Sequence, residues 1–256
     1  MSTNGLSRFA LDGRVALVTG AGTGIGRGVA LVLAEHGADI VLAARRPEPL
    51  EETARDIEAL GRRALVVPTD VTDLGQCEGV VERAVTEFGR LDILVNNAGG
   101  STTKPIEAWT PEEWHQVVDL NLGSVWFLSR LAAEPMVAQG KGAIVNISSG
   151  SSMFAFPIGA PYGASKAAVN NLTASFAAAW TPKGVRVNAL AVGAVRTEML
   201  LEDGKKYGLD EAAFGAGNAM GRIGEPEEIG YAVLYFASDA SSYCSGQTLW
   251  INGGPK

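Results

Sequence analysis

Short apolar runs recur along the chain, separated by segments of helical length. Val15–Val18, Ile40–Ala44, Ala64–Val67, Leu91–Val95, Ala143–Ile147, Val185–Leu190 and Thr248–Ile251 each predict a strand. Most are continuously apolar, the pattern of strands covered on both faces. Between them apolar positions fall at helical spacing, as with Val29, Leu33 and His36 after Ile25, or Ile57 and Leu60 before Gly61. Strand and helix alternating this often predict an α/β fold: a doubly wound parallel sheet of about seven strands, helices on both faces, right-handed crossovers. No Pro- or Ser-rich linker and no internal repeat divides residues 1–256, which read as one domain. The least regular stretch, 196–224, is glycine-rich and polar and predicts a lid or substrate loop.

Composition narrows the function classes. The 256 residues carry 28 Asp plus Glu against 21 Lys plus Arg, a formal charge of −7. With no basic field to hold a phosphate backbone, nucleic acid is not expected as a partner. Apolar residues at 46 % and charged ones at 19 % suit a folded core rather than a disordered chain. Glycine is in excess, 32 residues against roughly 18 at average usage, which points to tight turns and close backbone approaches. The longest uncharged stretch, 142–165, is broken by Ser, Gly, Asn and two prolines, so no membrane span is expected. Met1 to Gly13 lacks an apolar stretch before a small-residue cleavage site, and a cytoplasmic protein is expected. Cys77 and Cys244 show no CxxC or metal spacing and read as reduced core residues. With only His36 and His115 as histidines, neither a metal site nor a Ser-His-Asp triad is expected.

Two local patterns carry chemistry. After the first strand comes Thr19-Gly20-Ala21-Gly22-Thr23-Gly24-Ile25-Gly26, with spacing T-G-x-x-x-G-x-G. A strand that ends in glycines and enters a helix gathers free backbone N–H groups and a positive dipole end at one point, an arrangement that binds pyrophosphate. An acid at the end of the second strand would bind a ribose 2′-hydroxyl. No carboxylate occupies Leu42 to Arg46; Arg45 and Arg46 stand there instead, suited to a 2′-phosphate or else a solvated basic pair. NADP(H) is therefore favoured, with NAD(H) possible.

The second pattern is Tyr162-Gly163-Ala164-Ser165-Lys166, opening an alanine-rich helical segment. A spacing of four puts Tyr162 and Lys166 on one helix face, about 40° apart. A free phenol is a poor proton donor or acceptor at neutral pH. An ammonium about 5 Å away favours the phenolate by roughly 3 kcal/mol at an effective dielectric of ~20. Around this pair the chain also carries Asn96-Asn97-Ala98-Gly99 closing a strand, Asn121 within Asp119-Leu120-Asn121-Leu122, and Ser149 after another strand.

With these motifs in this order and spacing, Leu11 to Gly254 resembles the short-chain dehydrogenase/reductase family in its compact single-domain branch. The resemblance implies a Rossmann-like fold and reversible interconversion of a ketone and a secondary alcohol. It implies Tyr162 as general acid/base, with Lys166 tuning the phenol and bonding the nicotinamide ribose. Ser149 would polarise the substrate oxygen, and the family's usual distance to the tyrosine favours it over Ser148. Asn121 would hold a water that links Lys166 to solvent. For the cofactor the resemblance implies Gly20, Thr23, Gly24, Ile25 and Gly26 at the turn, Arg45 and Arg46 at the ribose, and Asp70 with Val71 at adenine. It further implies Asn97, Ala98 and Gly99 on the inner side, and Gly193, Val195 and Thr197 at the nicotinamide, beside Tyr162 and Lys166. Two positions depart from the family: Val192 stands where Pro is usual, and Thr23 where many NADP-preferring members are basic.

Trp109, Trp114, Met153, Phe154, Phe156 and Met199 are candidates for an apolar substrate pocket. Leu131 to Gly140 contains Glu134 and no Lys or Arg, which favours a free small molecule or CoA thioester over a substrate on an acidic carrier protein. Alternatives are an NAD-linked hydroxyacyl or hydroxysteroid dehydrogenase, and a non-catalytic dinucleotide-binding sensor. The resemblance also implies a homotetramer formed through the helix after Asn121 and the helix of Tyr162.

Overall fold

The computed structural model describes residues 5–255. Its centre is a sheet of seven parallel strands: β1 (Val15–Thr19), β2 (Asp39–Ala44), β3 (Ala64–Pro68), β4 (Ile93–Asn96), β5 (Gly142–Ser149), β6 (Val185–Val192) and β7 (Thr248–Ile251). They lie in the order β3-β2-β1-β4-β5-β6-β7. The chain thus winds outward from β1 to β3, returns to the far side of β1 at β4, and winds outward again. That reversal opens a crevice at the carboxyl ends of β1 and β4, where ligands bind in sheets of this kind.

Side chains alternate between two cores. Ala16 and Val18 of β1 and Ile40 and Leu42 of β2 face one layer, with α1 (Gly24–Glu35), α2 (Pro47–Ala59) and α9 (Pro226–Ala237). Val15, Leu17, Val41 and Ala43 face the other, with α3 (Leu74–Phe88), α5 (Ser124–Gln139) and α6 (Ala160–Trp180). Period-two strands buried on both sides produce the continuous apolar runs of the sequence.

Every expected strand is present, all but the last with a shifted end. Leu91 is buried but precedes β4, because Asp92 turns its carboxylate onto the Val15 amide at 2.9 Å. β5 and β6 run on to Ser149 and Val192, carrying polar residues to the crevice.

The expectation of an irregular 196–224 is corrected. That segment holds α7 (Glu198–Tyr207) and α8 (Glu211–Gly215), capped by Thr197 and Asp210, whose side chains accept from Leu200 and Ala213 amides at 3.2 and 2.8 Å. Acid in the first turn of α7, Lys205 and Lys206 in its last, and Gly208 at its end favour this helix, which buries little besides Gly204. A parallel bridge between Val195 and Gly224 closes the base of the segment. No helix among the described residues is long and apolar enough to cross a membrane.

Candidate active site

The glycine-rich turn sits at the carboxyl end of β1. Gly20 has φ +66°, open to glycine at little cost, and a Cβ on Gly26 would lie 2.1 Å from the Gly20 carbonyl oxygen. Gly26 therefore lets α1 close directly onto the strand. Thr23 is the N-cap of α1, yet its side chain makes no capping bond. The first N–H groups of that helix are left facing the crevice without a side-chain acceptor from their own cap.

Thr19 ties this turn to β4. Its hydroxyl accepts from the Asn97 and Ala98 amides at 3.0 and 2.9 Å. Asn97 answers by donating its side-chain amide to the Thr19 carbonyl at 2.8 Å and toward the Gly20 carbonyl at 3.4 Å. The Asn97 side-chain N–H donor is thus spent within the protein and fixes the spacing of two loops.

On the other flank, Arg45 and Arg46 follow β2 and are exposed, without an ion pair among the described residues. Asp70 follows β3 and accepts from the Thr72 amide and hydroxyl at 3.0 and 2.7 Å. Those two bonds, helped by the Arg45 charge, hold its carboxyl below the usual carboxylate range. Val71 beside it is buried.

Ser149 ends β5, and Tyr162 and Lys166 lie in the first two turns of α6, which packs on that strand end. Strand alternation separates the two serines: Ser148 is buried and donates to the Lys166 carbonyl at 3.1 Å, whereas Ser149 lies beside the Tyr162 phenol and acts on its acidity. Lys166 is buried; its ammonium donates to the Ile147 carbonyl at 2.8 Å and stands 5.5 Å from the centre of the Tyr162 ring. Burial brings the Lys166 pKa down to about 8. Burial also pushes the phenol up from its ordinary value, and the neighbouring Ser149 hydroxyl pulls it partly back. The expectation of a phenol acidified by its lysine is corrected for the protein by itself: burial takes water from both the phenol and the ammonium, a cost that charge attraction at this spacing leaves out.

Asn121 is fully buried in a π-helical turn, Asp119–Gly123, between α4 (Pro111–Val118) and α5. It donates to the Gly100 and Val117 carbonyls at 2.8 and 2.9 Å and accepts from the Gly100 amide at 3.0 Å. A Cβ on Gly99 would lie 2.7 Å from Asn121 Oδ1 and 3.2 Å from Lys166 Nζ, so Asn121, Gly99 and Lys166 meet at one point. Both Asn121 N–H bonds are taken, which leaves only spare acceptor capacity on Oδ1 for a water.

The roof comes from the segment after β6. Gly193 donates to the Ile251 carbonyl at 2.9 Å, and Val195 is buried, so it presents only backbone. A Cβ on Gly24 would be 3.0 Å from the Thr197 methyl, and one on Gly100 3.2 Å from Met199 Cε. The start of α7 therefore touches both the glycine turn and the loop after β4.

A family model described as enoyl-(acyl carrier protein) reductase matches residues 20–256. The 3-oxoacyl-[acyl-carrier-protein] reductase of Thermotoga maritima is 35% identical over 247 residues, 95% of this chain and 98% of that protein. Among solved structures, a 7α-hydroxysteroid dehydrogenase with NADH and 7-oxo glycochenodeoxycholic acid is 32% identical with a TM-score of 0.93, covering 99% of this chain and 98% of its own. A Beutenbergia cavernae structure with NADP at low occupancy is 38% identical with a TM-score of 0.90, covering 96% and 98%. The chain belongs to the short-chain dehydrogenase/reductase family. It is an oxidoreductase, and the family binds NAD(P)(H).

Within this short-chain dehydrogenase/reductase, the sequence reading missed the buried polar chain below the site. Asn96 donates to Ser129 at 2.9 Å and to Asn146 at 2.8 Å, and Asn146 donates to Thr173 at 2.9 Å, joining β4, α5, β5 and α6. An Asn directly after one apolar run and another inside a second were the available signal, since a buried amide needs partners. It also missed Ser151, whose hydroxyl and amide both reach Ser149. Of the apolar pocket candidates, Met199 reaches the site loops. Phe154 instead packs edge-on against Trp250 at 5.4 Å, and Trp114 lies exposed on α4.

Proposed function

We propose that this oxidoreductase interconverts a ketone and a secondary alcohol with NADP(H), using Tyr162 as the proton carrier. The observation that carries the reading is the convergence of a phenol, a serine hydroxyl and a buried ammonium beside a glycine turn with free helix N–H groups. Hydroxyl donors aimed at one point suit a substrate oxygen, and so a C=O rather than a C=C bond.

Gly20 to Gly26 and the start of α1 would hold the pyrophosphate, and Arg45 with Arg46 a 2′-phosphate. Asp70 and Val71 would face adenine, Asn97 to Gly99 the inner side, Lys166 the nicotinamide ribose, and Gly193, Val195 and Thr197 the carboxamide. A reduced nicotinamide bound there supplies hydride to the carbonyl carbon. Ser149 donates to the carbonyl oxygen and holds it; Tyr162 delivers its proton to that oxygen as negative charge develops. Lys166, charged, stabilises the phenolate left behind, and a water on Asn121 Oδ1 would return a proton from solvent. The segment 196–224 is read as a lid of the same single domain, since α7 touches both loops that flank the site.

The substrate is read as a free small molecule or CoA thioester, because Arg130, the one cation near Glu134 on α5, is paired with it. The assembly is read as a homotetramer through α5 and α6, where Trp126 and Phe127 are exposed. A cytoplasmic location remains the expectation from the sequence.

Arg45→Asp tests the cofactor assignment. The kcat/KM ratio for NADP over NAD is expected to fall by at least about tenfold, the value of one lost charge-assisted contact to phosphate. An unchanged ratio removes Arg45 from the argument.

A further inference from the structure

A hydroxyl has one hydrogen to give and two lone pairs to fill. Ser149 caps the short 3₁₀ turn Gly150–Ser152, with its backbone extended at φ −145° and ψ 155°. Its Oγ accepts from the Ser151 amide at 3.2 Å and from the Ser151 hydroxyl at 3.0 Å. Both acceptor positions are therefore filled by one residue two places along the chain. The Ser149 hydrogen is left to a partner outside the turn.

We propose that Ser151 is a positioning residue that fixes Ser149 as an obligate donor toward the reacting oxygen. The proposal rests on the reading of Ser149 as the group that holds the substrate carbonyl. Ser151 spends its own hydrogen on Ser149, so it acts through that residue and gives nothing directly to substrate.

The turn is braced to keep this orientation. The Ser151 carbonyl oxygen lies 3.0 Å from where a Cβ on Gly163 would be, which seats the turn directly on the first turn of α6, next to Tyr162. At the far end, Asn170 of α6 donates to the Ser152 hydroxyl at 2.9 Å. Ser149 and Ser151 are thus seated on the helix that carries Tyr162. A donor aimed before the substrate arrives needs no reorientation as charge grows on the oxygen, and such preorganised donors act on the chemical step rather than on binding. In Ser151→Ala the amide bond survives and one lone pair of Ser149 is freed, so its hydroxyl rotates among several partners.

The test compares Ser149→Ala, Ser151→Ala and Ser151→Thr with NADPH and the ketone of highest wild-type turnover in a carbonyl panel. Ser149→Ala is expected to lose more than about a hundredfold in kcat. Ser151→Ala is expected to lose about five- to tenfold in kcat, the worth of one neutral hydrogen bond, with unchanged KM for ketone and NADPH and an unchanged melting midpoint. Ser151→Thr, which keeps the hydroxyl, is expected to recover to within about twofold of wild type. Wild-type kcat in Ser151→Ala beside an inactive Ser149→Ala overturns the positioning role and leaves the serine reading intact. A loss confined to KM, or one that Thr fails to restore, also overturns the positioning role. An active Ser149→Ala overturns the reading beneath it.

Discussion

Lys166 is an ammonium in a place with almost no water, held by one carbonyl at 2.8 Å and by its distance from a phenol. Its folded pKa of about 8 lies below the ordinary lysine value of 10.5. Two consequences follow with definite signs. The reductive reaction needs the phenol protonated and the ammonium charged, so turnover with NADPH is expected to be flat below pH 8 and to fall above it. For stability, the unfolded chain keeps this proton up to about 10.5 while the folded chain releases it earlier. Between those values the unfolded state binds more protons, and the lysine's contribution to stability rises with pH. Below pH 8 its burial is a standing cost on the order of 3 kcal/mol. Urea unfolding of wild type and Lys166→Met from pH 7 to 10 measures it: the variant is expected to be the more stable at pH 7, with the gap closing as pH rises. Parallel pH profiles, or a less stable variant at pH 7, contradict this account.

Among the elements, the proposed lid turns on α7. It is tethered at its start by Thr197 and at its end by Tyr207, whose hydroxyl donates to the Thr103 carbonyl at 3.1 Å and lies 2.6 Å from the Thr103 hydroxyl. Those bonds are exposed, and the helix buries little besides Gly204. Tyr207→Phe removes both bonds while keeping the ring. It is expected to raise the substrate KM about two- to fivefold, for roughly 0.5–1 kcal/mol of lost closure, with kcat within twofold. A changed kcat at constant KM would place Tyr207 in the chemistry instead. The strands were legible from sequence because burial on both faces makes them uniformly apolar; α7 was not, because Gly204, Gly208 and its run of charges read as loop while its cap and end charges favour a helix. The same division runs through the site. Glycines, Tyr162 and Lys166 sit at short sequence spacings that a helix or turn converts directly into geometry. Asn97 spending its side chain on Thr19 and Gly20, or Ser151 filling Ser149, depends on where loops meet, and spacing alone does not report that.

At the scale of the molecule, the two helices that carry Asn121's turn and Tyr162 also carry apolar surface outward. Trp126 lies 5.4 Å from Phe176, which stacks on Trp180 at 4.4 Å, while Trp126 and Phe127 remain exposed. A second copy of the chain is the proposed cover. Trp126→Glu is expected to shift the light-scattering mass from tetramer to dimer or monomer; an unchanged mass would move the interface elsewhere. Because α6 positions both Tyr162 and Lys166, loss of assembly is also expected to lower activity.

The most direct test of the whole account is Tyr162→Phe, which removes one oxygen from the site and leaves the ring packed. Single-turnover oxidation of NADPH by the best ketone is expected to drop by more than about a thousandfold, while the Kd for NADPH measured in the same sample stays within about twofold of wild type. Turnover above a few per cent of wild type would mean that the proton comes from another group, and the chemistry assigned to this crevice would be wrong.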